Sequence, residues 1–330
     1  MPAPLHALNR RQVLIASCAC MLAAPSVQAQ LAPLETAKIL LGVPPGGLGD
    51  RLARGIAERL RGVYAQNVVV DNKPGAGGQL AVVGSRDGAA DGSNLLLSIS
   101  SAFSVYPYTY PKLPYKPDDM APLTLACYAN HGLAVGPLVP ESVKNLRDFL
   151  AWAKANPDKA NYGSPAAGSI AHLVMAHVEH LSKAGLRHVP YRGSGPGVTD
   201  LLGGQIAAMS SPAGVFLPHA AAGKCRLLAI SGAQRASYFK EVPTYREQGI
   251  NITAREWYGF FLPGKASPEV IARASQAFQK VLTSPELIAS FAQLGLDVAY
   301  STPQELAQIL KSDDLEWRDA VRQIGFTADS

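Results

Sequence analysis

Three stretches of this 330-residue chain place glycine, proline and small hydroxyl residues where a strand hands over to a helix. The first is Val43-Pro44-Pro45-Gly46-Gly47-Leu48-Gly49-Asp50. Glycines let the backbone turn tightly and present its N–H groups. A helix starting there adds partial positive charge, so the place suits an anion. Pro44 and Pro45 stiffen the entry and donate no N–H. The plainer reading of the same residues is an ordinary tight turn. The second stretch is Tyr162-Gly163-Ser164-Pro165-Ala166-Ala167-Gly168-Ser169-Ile170-Ala171-His172, where Ser164 or Ser169 can cap the following helix. Helix starts in two lobes, both facing one cleft, would clamp an anion from two sides. The third is Met209-Ser210-Ser211-Pro212, whose hydroxyls either line a cleft or close a turn.

A rival chemistry begins at the same first loop. Gly47-x-Gly49 follows a strand and opens a helix, and Asp71 ends the next strand, as in a dinucleotide fingerprint. Leu52 stands at the third glycine position, which closes off the helix–strand approach that glycine permits. Catalytic groups find little support. There is no G-x-S-x-G elbow and no H-E-x-x-H pair. His172, His177 and His180 share one helix and read as exposed or capping residues. Asp118-Asp119 and Asp313-Asp314 read as solvated surface pairs. Cys127 and Cys225 have no partners at metal-ligand spacing, so no metal site is expected; a single disulfide between them stays open.

Composition is that of a globular chain large enough for two domains, with 48% hydrophobic and 17% charged residues. The net charge of +5 comes from scattered bases, which argues against nucleic acid and slightly favours small anions. Arg10-Arg11, an apolar run over 13–24 and the small-residue site Val27-Gln28-Ala29 make residues 1–29 a signal peptide with a twin-arginine look. Export to the periplasm with removal of the signal is expected, by either the twin-arginine or the general route.

The elements that position the three stretches alternate. Strands are expected over 38–43, 67–71 and 94–98, with helices over 50–63 and just after Pro74-Gly75-Ala76-Gly77-Gly78. Residues 104–122 read as irregular. A strand over 123–135 crosses to a second α/β unit, with strands over 161–163, 187–190, 206–209 and 225–231 and helices over 146–155, 169–183 and 198–202. A strand over 257–262 returns the chain, and proline-led helices follow over 268–283, 285–293 and 303–324. The organisation is two α/β lobes, 30–130 plus 255–330 and 131–254, with a cleft between them.

Motifs in one order along the chain carry a resemblance. They are Val43-Pro44-Pro45-Gly46-Gly47, Val70-Asp71-Asn72-Lys73-Pro74-Gly75-Ala76-Gly77-Gly78, Asp91-Gly92-Ser93-Asn94-Leu95-Leu96-Leu97 and Tyr110-Pro111-Lys112-Leu113-Pro114-Tyr115. They continue with His188-Val189-Pro190-Tyr191-Arg192-Gly193-Ser194, Asp200-Leu201-Leu202-Gly203-Gly204-Gln205, Leu217-Pro218-His219 and Val242-Pro243-Thr244. With these the chain resembles the Bug-type periplasmic binding proteins of tripartite tricarboxylate transporters. The resemblance implies a type II periplasmic binding fold, two lobes joined by two crossing strands, that closes on a ligand. It implies a monomer that hands a small carboxylate to a membrane permease, with no cofactor and no reaction. The positions it points to are Val43, Gly46, Gly47, Leu48, Ser100, Ser101, Ser164, Gly168, Ser169, Ile170 and Ser211. Gly42, Leu48, Ile170, Ala171 and Ser211 depart from the usual pattern. Ser211 cannot offer an ammonium the charge of the usual aspartate, so a dicarboxylate, hydroxy acid or aromatic acid is expected. An exported NAD(P)-dependent oxidoreductase and a ligand-sensing partner of a signalling system are the alternatives.

Overall fold

Leu95, Leu96 and Leu97 are all fully buried, as in a strand covered on both faces. They belong to β3 (Asn94–Ile99), which pairs in parallel with β1 (Leu34–Leu41); β1 pairs in parallel with β2 (Ala65–Asn72). The computed structural model describes residues 34–328, so the signal peptide expected over 1–29 lies outside the described residues.

Helix α1 (Leu48–Leu60) buries Leu52, Ile56 and Leu60, the face the spacing predicts. It starts at Leu48, two residues earlier than expected, because Gly47 is already the extended residue before the first turn. Helix α2 (Gln79–Arg86) follows β2 after a turn through Gly75 to Gly78. A short helix, α3 (Ser101–Ser104), leads into the stretch expected to be irregular, and that stretch itself holds a second, α4 (Tyr106–Thr109). Full burial of Phe103, Val105 and Tyr106 winds them tightly, while four prolines in 107–117 mask any periodicity in the sequence.

Strand β4 (Met120–Val135) is 16 residues long and changes partner midway. From Met120 to Asn130 it runs antiparallel to β9 (Arg255–Pro263), and β9 in turn lies against β3. From His131 to Val135 it runs antiparallel to β7 (Ala208–Pro212), and on its other side to β8 (Arg226–Ile230). β7 continues in parallel to β5 (Asn161–Ser164) and then β6 (Arg187–Pro190). The result is a curled two-lobe α/β sheet in the order β2-β1-β3-β9-β4-β7-β5-β6, with β8 and a short β10 (Asp297–Val298) also on β4.

Helices α5 (Leu146–Ala155), α6 (Ile170–Ser182), α7 (Ser194–Leu202) and α8 (Leu217–Ala221) accompany β5 to β8. The chain ends in α9 (Pro268–Leu282), α10 (Pro285–Ala292) and α11 (Pro303–Ile324). Asn145, Ser267 and Thr302 close the starts of α5, α9 and α11 through side-chain hydrogen bonds. Asp313 and Asp314 on α11 are not the solvated pair expected. Asp313 accepts the Trp257 indole N–H at 2.7 Å and Asp314 the Tyr108 hydroxyl at 2.6 Å, pinning α11 to β9 and α4. Burial raises the Asp313 carboxyl to about 6, against the lowering effect of the Trp257 bond. Cys127 and Cys225 are both buried free thiols.

Candidate ligand-binding cleft

Four helix starts meet around one cavity of about 540 Å³. Gly46, Gly47, Leu48 and Gly49 bring the start of α1, and Gly75 to Gly78 that of α2. Ser169 brings the start of α6, and Gly193, Ser194 and Gly195 that of α7. None of these four helices has a side-chain cap, in contrast to α5, α9 and α11, whose starts do not line the cavity. Helix starts left without side-chain caps present N–H groups and partial positive charge to whatever lies beside them, although at α6 the first amide, Ile170 N–H, is already taken by Ser101 Oγ.

Local packing brings the loops together. A Cβ on Gly42 would lie 2.4 Å from Gly78 Cα, so the β1–α1 and β2–α2 loops touch backbone to backbone. Across the cavity, a Cβ on Gly193 would lie 2.9 Å from the Pro44 ring, so α7 and the β1–α1 loop also meet. Asp50 anchors the first loop from below. Burial alone would raise its carboxyl; hydrogen bonds from Arg54, the Gly46 N–H (2.8 Å) and Asn72 (2.9 Å) outweigh that and hold it below the usual range.

The second loop, Pro165 to Gly168, is held by a pair of stacked imidazoles. His172 and His188 lie 3.5 Å apart, centroid to centroid, at 16°. His172 Nδ1 accepts the Gly168 N–H at 3.0 Å, which places its proton on Nε2, and His188 Nε2 meets Ser164 Oγ at 2.8 Å. Burial keeps both neutral, lowering His172 to about 3, with the neighbouring His188 adding to the effect, and His188 to about 4. His172 is therefore a buried structural residue rather than an exposed one.

Of the residues singled out in the sequence, Val43, Gly46, Gly47, Leu48 and Ser169 line the cavity. The other six lie behind its wall. Ser100 and Ser101 are fully buried and donate to Glu256. Ser164 faces His188, and Gly168 packs on Thr109. Ile170 points into the core and is not part of the lining, whereas its neighbour Ala171 is. Ser211 Oγ donates to Ser194 Oγ at 2.7 Å. Leu48 lines the cavity and is at the same time buried and packed into the core.

Several lining residues are not among the site positions the sequence points to: Arg192 and Tyr110, which appear there only within motifs, and His131, Glu256 and Tyr258. Arg192 is exposed at the rim and makes no ion pair or hydrogen bond among the described residues. His131 and Glu256 are at most 3% exposed. Glu256 stands between Arg255 and the apolar run Trp257 to Leu262, where a charged residue reads as a solvated strand end. No group of three or more metal-binding side chains occurs among the described residues.

The family profile described as "Tripartite tricarboxylate transporter family receptor" matches residues 52–326. The chain is 33% identical to protein BugT of Bordetella pertussis over 92% of its own length and 93% of that protein. A solved periplasmic transporter is 30% identical, with a TM-score of 0.83, covering 89% of this chain and 98% of the other. MatC of Rhodopseudomonas palustris, solved with bound malate, is 25% identical with a TM-score of 0.81, covering 88% and 100%.

Proposed function

The chain belongs to the tripartite tricarboxylate transporter receptor family, and from that premise we propose that it captures a small carboxylate in the cavity and delivers it to a membrane permease. The single observation that carries this reading is the convergence of four helix starts without side-chain caps on one cavity. The N–H groups of α1 and α7, with Arg192 at the rim, grip the carboxylate. Val43, Gly46, Gly47, Leu48 and Ser169 form its immediate surroundings, while Ser100, Ser101, Ser164, Gly168, Ile170 and Ser211 hold those surroundings in place. The protein acts as an exported monomer in the periplasm, carries no cofactor and catalyses no reaction.

The two lobes are 30–130 plus 255–330 and 131–254. The partner change of β4 between Asn130 and His131 supports a hinge there, with the second crossing at Ala254–Arg255. Ser211 lies behind the cavity wall, bonded to Ser194, and brings no charge for an ammonium, so the proposed ligand is a dicarboxylate, hydroxy acid or aromatic acid. Thermal unfolding with a panel of carboxylates tests the reading, since a ligand that binds only the folded state raises the melting temperature with its concentration. Stabilisation by NAD(P) and by no carboxylate would overturn it in favour of the oxidoreductase.

A further inference from the structure

His131 and Glu256 face each other at the inner wall of the cavity, one on each side of the point where β4 changes partner. His131 is the first residue of β4 to pair with β7, and Glu256 pairs with Ala129. Both line the cavity and both are more than nine-tenths buried. His131 Nε2 lies 3.6 Å from Glu256 Oε2, too far for a hydrogen bond. Neither ring nitrogen of His131 has a hydrogen-bond partner among the described residues. A buried polar atom without a partner is costly, and such atoms are rare in folded proteins.

Glu256, by contrast, is well supplied. It accepts from Ser100 Oγ, from the Ser101 N–H at 3.1 Å and from Ser101 Oγ at 3.1 Å. Each serine hydroxyl itself accepts a backbone N–H: Ser101 from Ile170 and Ser100 from Trp257. Every hydrogen bond Glu256 makes is therefore received, so it faces the cavity as an acceptor. Three donors already offset its charge and reduce its need for a cation.

We propose that His131 and Glu256 form a specificity station that takes a hydroxyl at the inner end of the ligand. A hydroxyl both donates and accepts. It gives its proton to Glu256 and satisfies the idle imidazole of His131, while the ligand's carboxylate stays with the helix starts and Arg192. A second carboxylate at the inner end meets the Glu256 charge without solvent between them and is rejected. This rests on the carboxylate-capture reading and narrows it from small acids in general to hydroxy acids.

The test uses acids that share one carboxylate and differ only at the far end. One set is 4-hydroxybutyrate, butyrate, succinate and 4-aminobutyrate; an aromatic set is 4-hydroxybenzoate, 4-methylbenzoate and terephthalate. Binding to the exported chain is followed by thermal unfolding and calorimetry at millimolar ligand. The hydroxy acid is expected to bind at least about tenfold more tightly than its methyl and carboxylate counterparts. Glu256→Gln, which keeps shape and acceptor oxygen, should relieve the discrimination against the dicarboxylate. His131→Phe should lower the preference for the hydroxyl and raise the melting temperature of the unliganded protein, because two unpartnered buried nitrogens are gone. Equal binding of methyl, carboxylate and hydroxyl forms overturns this proposal and leaves carboxylate capture standing. Preference for the amine moves the assignment to an ammonium and overturns it as stated. Stabilisation by none of the acids overturns the carboxylate reading itself.

Discussion

Ser101 Oγ accepts the N–H of Ile170 at 3.1 Å, joining the start of α6, which follows β5, to a short helix that follows β3. The same hydroxyl donates to Glu256 on β9. One buried serine thus ties the first amide of a cavity helix to a buried carboxylate. Ser101→Ala is expected to destabilise the protein by about 1–3 kcal/mol, because the Ile170 amide and one oxygen of Glu256 lose their partner together. Ser101→Thr, which keeps the hydroxyl, should recover part of the loss. Chemical denaturation of the three proteins measures this, and an alanine variant as stable as the parent would remove the tie from the account.

Gly42 and Gly78 set a second expectation. A methyl group at 42 would meet the Gly78 backbone, which has no flexible end to swing aside. Gly42→Ala should separate the β1–α1 and β2–α2 loops, costing about 1–3 kcal/mol as overpacked sites do. The rise in melting temperature produced by a bound acid should shrink at the same time.

Arg192 stands exposed at the rim, so its contribution is mainly electrostatic. Arg192→Gln should weaken acid binding by about tenfold or less and reduce its dependence on ionic strength, with the melting temperature of the free protein nearly unchanged. Calorimetry at two salt concentrations reads both effects.

The pH dependence of stability has a definite sign. His172 and His188 have folded values near 3 and 4, below the ordinary 6.5, so the unfolded chain takes up protons first and stability falls as pH drops from about 6.5 toward 4. Asp313 works the other way. Its folded value near 6 lies above the ordinary 3.8, so its contribution is complete below about 4 and fades as pH rises through 6. Two histidines against one carboxyl leave roughly one net proton, or about 1.4 kcal/mol per pH unit near pH 5, as an upper figure for partly solvated groups. His172→Phe should flatten the fall and Asp313→Asn should steepen it. Melting temperatures from pH 4.5 to 7 decide, and an unchanged slope in both variants would refute the assignment.

Much of the architecture was legible along the chain. The Leu95–Leu97 run, the Leu52/Ile56/Leu60 stripe and the prolines that lead α9, α10 and α11 each act within a few residues, so their signal survives in the sequence. The short helices α3 and α4 were not legible, since burial by distant residues rather than local propensity winds them. The glycine-rich first loop was legible as a strand-to-helix turn, but not its place on a cavity shared with three other helix starts.

What the chain by itself determined is where helices begin and which loops are rich in free N–H groups, because turn chemistry and periodicity are local. Which of those loops share a cavity was decided by the tertiary structure. Ser100, Ser101 and Ser211 look like ligand contacts in the sequence, yet they turn inward to Glu256 and Ser194, for a buried hydroxyl takes the nearest partner the fold supplies. Glu256 and His131 lie 125 residues apart, 256 minus 131, and meet only because β4 and β9 pair where the sheet changes partner. A juxtaposition of that kind has no local period, and no reading of neighbours along the chain reveals it.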